Sequence, residues 1–300
     1  MPSTRDIRRR IKSVKSTAQI TKAMQLVAAA KMKKAQDQAT HGRAYAETMN
    51  KILVALRDAA EEGSHPYFEQ GKGTKTLVLV IASDKGLCGA LNTNLFKKLL
   101  NTDLGSEVDY VTIGRKASQM LSRLRKPLVA DFPIKDPAKF IDLRTVGKFI
   151  QEKFRGGEYQ RVLVAFNNFI NTVTIQPMVE QILPVDKVTL GGKRSFEGMG
   201  NTADEASTPS ASTSTLEYTF EPNAAAVFDT VLPQYVNYAL YQMLLEARAS
   251  EHSSRMVAMK NATDNAKQLI KDLTLEYNKV RQAAITNELL EITTAKMALE

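Results

Sequence analysis

From Pro233 to Leu299 the chain runs 67 residues with no proline or glycine after its first position. Within that run Met259, Ala262, Ala266, Leu269, Leu273, Tyr277, Val280 and Ala284 recur in steps of 3, 4, 3, 4, 4, 3 and 4, a mean of about 3.57. This spacing predicts one long helix with a narrow apolar seam for a partner helix. At about 1.5 Å of rise per residue the helix measures on the order of 100 Å, more than a compact fold of this size can bury. A step between about 3.5 and about 3.6 residues implies little supercoil, and the alanines let two backbones lie close together.

The opposite end of the chain carries a matching pattern. Residues 3–60 contain no proline and have glycine only at Gly42, and Ile7, Ile11, Val14, Ala18, Thr21, Ala28, Met32, Ala35 and Ala39 fall mostly three or four apart. Two long helices at the termini, with about 160 residues between them, predict an antiparallel coiled coil with a domain inserted between its arms. A bundle folded back on itself would need turn signals inside the helices, and almost none are present. Two unrelated helical tails are the other alternative.

Between the arms the period changes. Glu61-Glu62-Gly63-Ser64-His65-Pro66 breaks the first helix, and Thr76–Ala82 (TLVLVIA) is a continuous apolar run of the kind found in strands covered on both faces. A helix over Asn92–Leu100, a strand over Val108–Ile113, a helix over Arg115–Arg125 and a helix over Phe140–Phe154 follow. Arg161–Phe166 and Thr172–Gln176 read as strands separated by a turn at Asn167-Asn168. The alternation predicts an α/β layer with a largely parallel sheet. Residues 191–214 are rich in Gly, Ser and Thr and read as a flexible loop, with a returning strand at Leu216–Phe220. Pro222 opens a short helical turn, and Pro233 suits the first position of the long helix. The expected domains are 1–62, 74–220 and 223–300.

Charge changes this picture most. The formal net charge is +9, and residues 1–34 hold ten Lys or Arg (Arg5, Arg8, Arg9, Arg10, Lys12, Lys15, Lys22, Lys31, Lys33, Lys34) against Asp6 alone, while the rest of the chain balances. A basic stripe on one arm implies a polyanionic partner: an acidic protein surface, nucleic acid or an anionic membrane face. An Arg-rich, acid-poor start also resembles a mitochondrial transit peptide, but the apolar period runs straight through it into the arm, so it is read as mature structure. The composition, 43% hydrophobic over 300 residues, supports one substantial core plus extensions. No apolar stretch is long enough to span a bilayer.

Candidate chemistry is sparse. A lone Cys88 excludes an internal disulfide, and His41, His65 and His252 stand apart without metal-ligand spacing. Ser83–Asn92 (SDKGLCGALN) follows the first strand, where open α/β sheets bind ligands, but it has neither dinucleotide-binding nor phosphate-loop spacing. It reads as a tight strand-to-helix turn. Ser250, Glu251, His252 and Ser253 have the residue types of a triad, yet sequential helical neighbours point in different directions and cannot form a relay. No catalytic, cofactor-binding or metal-binding residues are assigned.

Three segments carry a family resemblance. Ile20-Thr21-Lys22-Ala23-Met24 with Val27-Ala28-Ala29 and Lys31-Met32 is similar to an N-terminal signature of the gamma subunits of F-type rotary ATP synthases. Ser83–Asn92 resembles that family's internal motif. The third segment comprises Ser250-Glu251, Arg255, Ala258-Met259, Asn265-Ala266, Tyr277-Asn278-Lys279, Arg281-Gln282-Ala283, Ile285-Thr286, Glu288 and Glu291-Ile292, and it resembles the family's C-terminal signature. The three occur in the right order over nearly the whole chain.

The resemblance implies an α/β fold class: a long antiparallel coiled coil of N- and C-terminal helices with an inserted Rossmann-like domain. It implies a rotor shaft that couples proton-driven rotation of the membrane c ring to ATP synthesis or hydrolysis in the beta subunits, without being catalytic itself. The implied partners are the alpha and beta subunits, the epsilon subunit and the c-subunit ring, with no nucleic acid and no membrane span. The implied place is the cytoplasmic face of a bacterial inner membrane. Arg281 and Gln282, with Thr286 and Glu288, match residues that bond a beta-subunit loop, and Met24 beside Lys22 matches a position near the acidic lever of beta. Two departures stand out. Thr293-Thr294 replace a small, glycine-containing stretch, which bears on how closely the tip packs in an apolar sleeve, and Ser254 replaces Ala before Arg255, a change expected to be minor and on the surface. The Ser/Thr-rich segment has no Cys pair for dithiol regulation. Two other classes compete with this reading: a basic nucleic-acid-binding coiled coil, against which stands the lack of interleaved aromatics, and an α/β enzyme with helical arms, which would need a pocket of converging titratable groups.

Overall fold

The computed structural model describes residues 3–42, 45, 48–49, 52–53, 65–185, 221 and 223–299. The expected loop at 191–214, the strand at 216–220 and the helix break at 61–64 lie outside the described residues. The elements are α1 (Thr4–His41), β1 (Lys75–Ile81), α2 (Leu91–Leu100), β2 (Val108–Ile113), α3 (Arg115–Arg123), β3 (Leu128–Phe132), α4 (Phe140–Arg155), β4 (Tyr159–Phe169), β5 (Ile175–Leu183) and α5 (Ala224–Leu299). They divide into two compact units: Met1–Ala28 with Arg255–Glu300, and Ala29–Ser254.

The first unit is a helix pair. Ser3 caps α1: its Oγ accepts from the backbone N–H of Asp6 and donates to the Asp6 carboxylate, which satisfies a donor that the first turn cannot. The helices run antiparallel, because Arg8 meets Tyr277 and Thr21 meets Thr263. On α1 the covered positions include Ile7, Ile11, Val14, Ala18, Thr21, Met24, Gln25 and Ala28; on α5 they include Met259, Ala262, Thr263, Ala266, Ile270, Leu273, Tyr277 and Val280. Steps of three and four recur along both sets, the spacing of a coiled-coil seam, which widens to adjacent covered pairs at Met24-Gln25 and Ala262-Thr263. The predicted seam holds at Ala262, beside which Thr263 is also covered, and needs correction at two seats: Leu269 is exposed and Ile270 takes its place, and Ala284 is exposed.

The second unit is built on a five-stranded sheet of order β3-β2-β1-β4-β5. Four strands are parallel, and β5 runs antiparallel to β4. Both faces of β1 are covered, as its continuous apolar sequence requires. Leu77, Leu79 and Ile81 pack with Leu143, Val146, Ile150 and Phe154 of α4 and with Phe228 and Leu232 of α5. Val78 and Val80 pack with Leu95 and Leu99 of α2 and Leu121 of α3. Gly147 lets α4 and α5 approach closely, since a Cβ there would run into the Asn237 side-chain oxygen. Gly114, at φ 98°, turns the chain from β2 into α3 where a side chain would strike the Ala82 carbonyl.

Two predicted boundaries are overturned. Asn167-Asn168 is not a turn: β4 runs through the pair to Phe169, and the hairpin turns at residues 170–174, where Asn171 Oδ1 accepts from the backbone N–H groups of Val173 and Thr174. Pro233 does not open the long helix but lies inside it. The helix is instead capped by Asn223, whose Oδ1 accepts from Ala226 N–H at 2.8 Å. An internal proline costs about 3 kcal/mol. Full burial of Phe228 and Leu232 on the preceding turn offsets it, at about 1.5–3 kcal/mol each.

Candidate functional site

Two places gather polar chemistry, one in each unit. In the helix pair, Lys22 is exposed on α1 with its Nζ donating to Gln25 Oε1 at 3.3 Å, and Met24, two residues on and so turned to another side of the helix, is half-buried. Arg281, Gln282, Thr286 and Glu288 are all exposed on α5. The two sets are not brought together. Lys22 lies at the level of the Thr21–Thr263 contact, while Arg281 lies past the Arg8–Tyr277 contact, about 27 Å further along α5 at about 1.5 Å per residue.

Arg8 marks the end of the paired stretch. Its Nη2 donates to Tyr277 Oη at 2.7 Å while the guanidinium lies 5.5 Å from the ring centroid, so one residue makes a hydrogen bond and a cation–π contact. Every residue of α5 from Arg281 to Met297 is exposed, including Ile285, Leu289, Leu290 and Ile292. The Thr293 and Thr294 hydroxyls turn back onto carbonyls one turn earlier, at 3.0 Å to Leu289 O and 2.8 Å to Leu290 O. Their polar atoms are thereby satisfied within the helix, and the helix continues through them. All ten basic residues of the N-terminal arm are exposed as well.

The second place was not anticipated. In the α/β unit, residues 248–254 of α5 cross the carboxyl ends of the parallel strands, where this class of sheet holds its ligands. Arg248, with only 4% of its surface exposed, donates through Nη2 to Asp84 Oδ2 (3.4 Å) and Ile134 O (2.8 Å), and through Nη1 to Glu251 Oε2 (3.0 Å). Ser250 donates to Asn167 O at 3.0 Å, Ser253 to Thr172 O at 2.9 Å and Ser254 to Cys88 O at 2.6 Å. His252 Nε2 lies 3.3 Å from Asp136 Oδ2, which also accepts from Lys31 Nζ at 2.7 Å. The His252 imidazole, 3.3 Å away, and the Lys31 ammonium hold the Asp136 carboxyl well below the usual carboxylate range, against the opposing push of burial.

Ser250, Glu251, His252 and Ser253 thus each face a different partner, as expected of neighbours on a helix. One expectation falls: Ser254 is a half-buried fastening contact rather than a surface change. His252 is buried within the α/β unit. The SDKGLCGALN turn is closed on itself: Asn92 Nδ2 donates to Ser83 Oγ at 2.8 Å, its Oδ1 accepts from Ser83 N–H, and Cys88 is buried against both side chains. Asp84 completes the turn by accepting from Arg115 N–H at the start of α3, a favourable seat for a carboxylate. Among the described residues no group of three or more His, Cys, Asp or Glu is arranged to hold a metal, and no helix is long and apolar enough to cross a membrane.

Comparison with known proteins points one way. The sequence profile of the ATP synthase family matches residues 3–299. The chain is 47% identical over 300 residues to the ATP synthase gamma chain of Akkermansia muciniphila, covering all of both chains. It is 47% identical over 298 residues to that of Opitutus terrae, covering 99% of each. In fold it is similar to a chain of the Euglena gracilis mitochondrial ATP synthase, with TM-score 0.68 and 22% identity over 99% of this chain and 94% of that one. It is also similar to a chain of the Tetrahymena thermophila mitochondrial ATP synthase central stalk and c ring, with TM-score 0.57 and 25% identity over 81% of this chain and 99% of that one.

Proposed function

We propose a function from one premise: this chain belongs to the ATP synthase gamma-chain family. As a gamma subunit it is the central stalk of a rotary ATP synthase. In our reading the helix pair turns inside a ring of alternating alpha and beta subunits. The α/β unit is the foot, held against epsilon and the ring of c subunits. Proton flow turns the foot, the shaft turns with it, and the beta subunits make or hydrolyse ATP in sequence; the chain itself holds no catalytic site. Lys22 and Met24 meet the acidic lever of beta. Arg281 and Gln282, with Thr286 and Glu288 one to two turns on, grip a beta loop. The setting is the cytoplasmic face of a bacterial inner membrane, with the chain peripheral to it.

One observation carries this reading. The helix pair satisfies its own seam and still leaves large apolar residues bare on its outer surface. Ile20 is 57% exposed, Leu26 60%, Leu275 74% and Ile292 61%, on helices that also carry the basic arm. Bare apolar surface on this scale among like charges marks a surface made to be enclosed by protein. A smooth apolar sleeve can let such a shaft turn, while acidic groups at its mouth engage the cations.

The test is to assemble the chain with its alpha and beta subunits, fix the complex through beta and attach a bead to the α/β unit. Adding ATP is expected to turn the bead stepwise in one direction, and the isolated chain is expected to leave ATP intact. A complex that hydrolyses ATP at full rate with the bead stationary would overturn the reading.

A further inference from the structure

We propose that Arg248 is a positioning residue for torque transfer, locking α5 against rolling about its own axis inside the α/β unit; this rests on the rotor reading above. A helix held only by apolar packing is poorly protected against rolling, because dispersion contacts are weak one by one and have no fixed direction. Directional bonds resist rolling when they pull from several sides at one level. Successive residues of a helix turn by about 100°, so Arg248, Ser250, His252, Ser253 and Ser254 point around most of its circumference. Each is bonded or in polar contact with a different anchorage: Asp84 and Cys88 O after β1, Ile134 O and Asp136 after β3, Asn167 O on β4, and Thr172 O in the hairpin.

Arg248 is the strongest member of this ring. It is the one buried arginine among the described residues, and its Nη2 reaches the loops after β1 and after β3 at once. Glu251, 5% exposed and one turn along the same helix, holds the other end of the guanidinium and so fixes its plane. A planar fork held at both ends transmits a sideways force that a single ammonium on a flexible stem would not. For stability alone a buried ion pair is a poor choice, since apolar residues of the same volume do as well or better. What the ion pair adds is direction, and direction is what a turning load demands.

The experiment uses the assembled complex, fixed through beta and stalled without nucleotide, with a rod attached at Lys98→Cys on the exposed face of α2. The angular variance of the rod is inversely proportional to torsional stiffness. Arg248 supplies two of the six cross-contacts of this ring, both charge-assisted and about twice as strong as neutral bonds, and α5 is also tied to the unit through Pro233 O, Asn237, Tyr238 and Tyr241, so Arg248→Met is expected to raise the variance about 1.2- to 1.5-fold. Arg248→Lys, which keeps the charge but not the fork, is expected to fall between wild type and Arg248→Met, and it alone decides the question if Arg248→Met does not assemble. Wild-type variance in the assembled variants, whatever their melting temperatures, would overturn the proposal and show that Arg248 serves only the fold. A wild-type complex whose rod never turns on ATP would instead overturn the rotor reading on which this one depends.

Discussion

Thr21 on α1 and Thr263 on α5 face each other inside the helix pair with their hydroxyl oxygens 2.7 Å apart. Thr263 donates its own proton to Met259 O at 2.8 Å, which leaves its lone pairs to accept from Thr21. Thr21 has a second acceptor within reach, Ala18 O at 3.1 Å. Removing either hydroxyl therefore leaves the other with a backbone partner. Thr21→Val and Thr263→Val are each expected to cost about 0.5–1.5 kcal/mol, and the double variant no more than either alone, because both remove the same bond. Urea unfolding of the four proteins measures this coupling. Strictly additive losses would mean that the two hydroxyls do not bond each other.

Asp136 gives the fold a pH dependence of known sign. Its carboxyl is held below the usual range by His252 and then by Lys31, so the folded state releases its proton more readily than the unfolded one. That stabilisation is fully present above the ordinary value near about 4 and is lost as pH falls through the lowered one. Asp136→Asn is expected to reduce stability by about 1.5–3 kcal/mol at neutral pH, the range for bonds to a charged group. The gap should narrow as the medium is acidified below about pH 4. A gap of the same size at pH 7 and pH 3 would rule out ionisation of Asp136 as its source.

The helices were legible because their signal is local and repeated. Ile7 to Ala39 on α1 and Met259 to Val280 on α5 announce a seam wherever they are read, and the partner helix was needed to decide between Leu269 and Ile270 and to end the seam before Ala284. Polar seats in the seam were harder: Gln25 and Thr263 are covered, yet neither is apolar. β3 was missed because an edge strand with Leu128 and Val129 both exposed has no alternation to read. The Arg248 cluster was invisible for another reason. Asp84, Asp136 and Arg248 lie far apart in the chain, and nothing local says that they meet. A signal existed all the same: the polar run Ser250-Glu251-His252-Ser253 follows the deeply apolar stretch Met243-Leu244-Leu245, and a helix so buried does not turn polar without partners.

Arg281 and Gln282 carry the sharpest consequence of the rotor reading. Both follow Val280, the last covered seat on α5, and both are exposed. The Thr286 hydroxyl donates to Gln282 O at 3.0 Å, so this turn of helix is braced from within and does not depend on either side chain. Arg281→Ala with Gln282→Ala is therefore expected to change the stability of the isolated chain by no more than about 0.5 kcal/mol, the ordinary range for surface positions. In the complex the same pair is expected to matter far more. A shaft can favour one beta subunit over its two neighbours only by presenting chemistry on one side. A guanidinium with five donors beside an amide offers a directional grip to a loop rich in carboxylate or carbonyl oxygen. A charge-assisted bond contributes about 1.5–3 kcal/mol, enough to bias one conformation about tenfold or more and still break at every step. Steady-state ATP turnover per assembled complex should fall about tenfold or more, while thermal melting of the isolated chain stays within about a degree or two of wild type. Normal turnover in a fully assembled complex would show that beta is gripped elsewhere on the shaft.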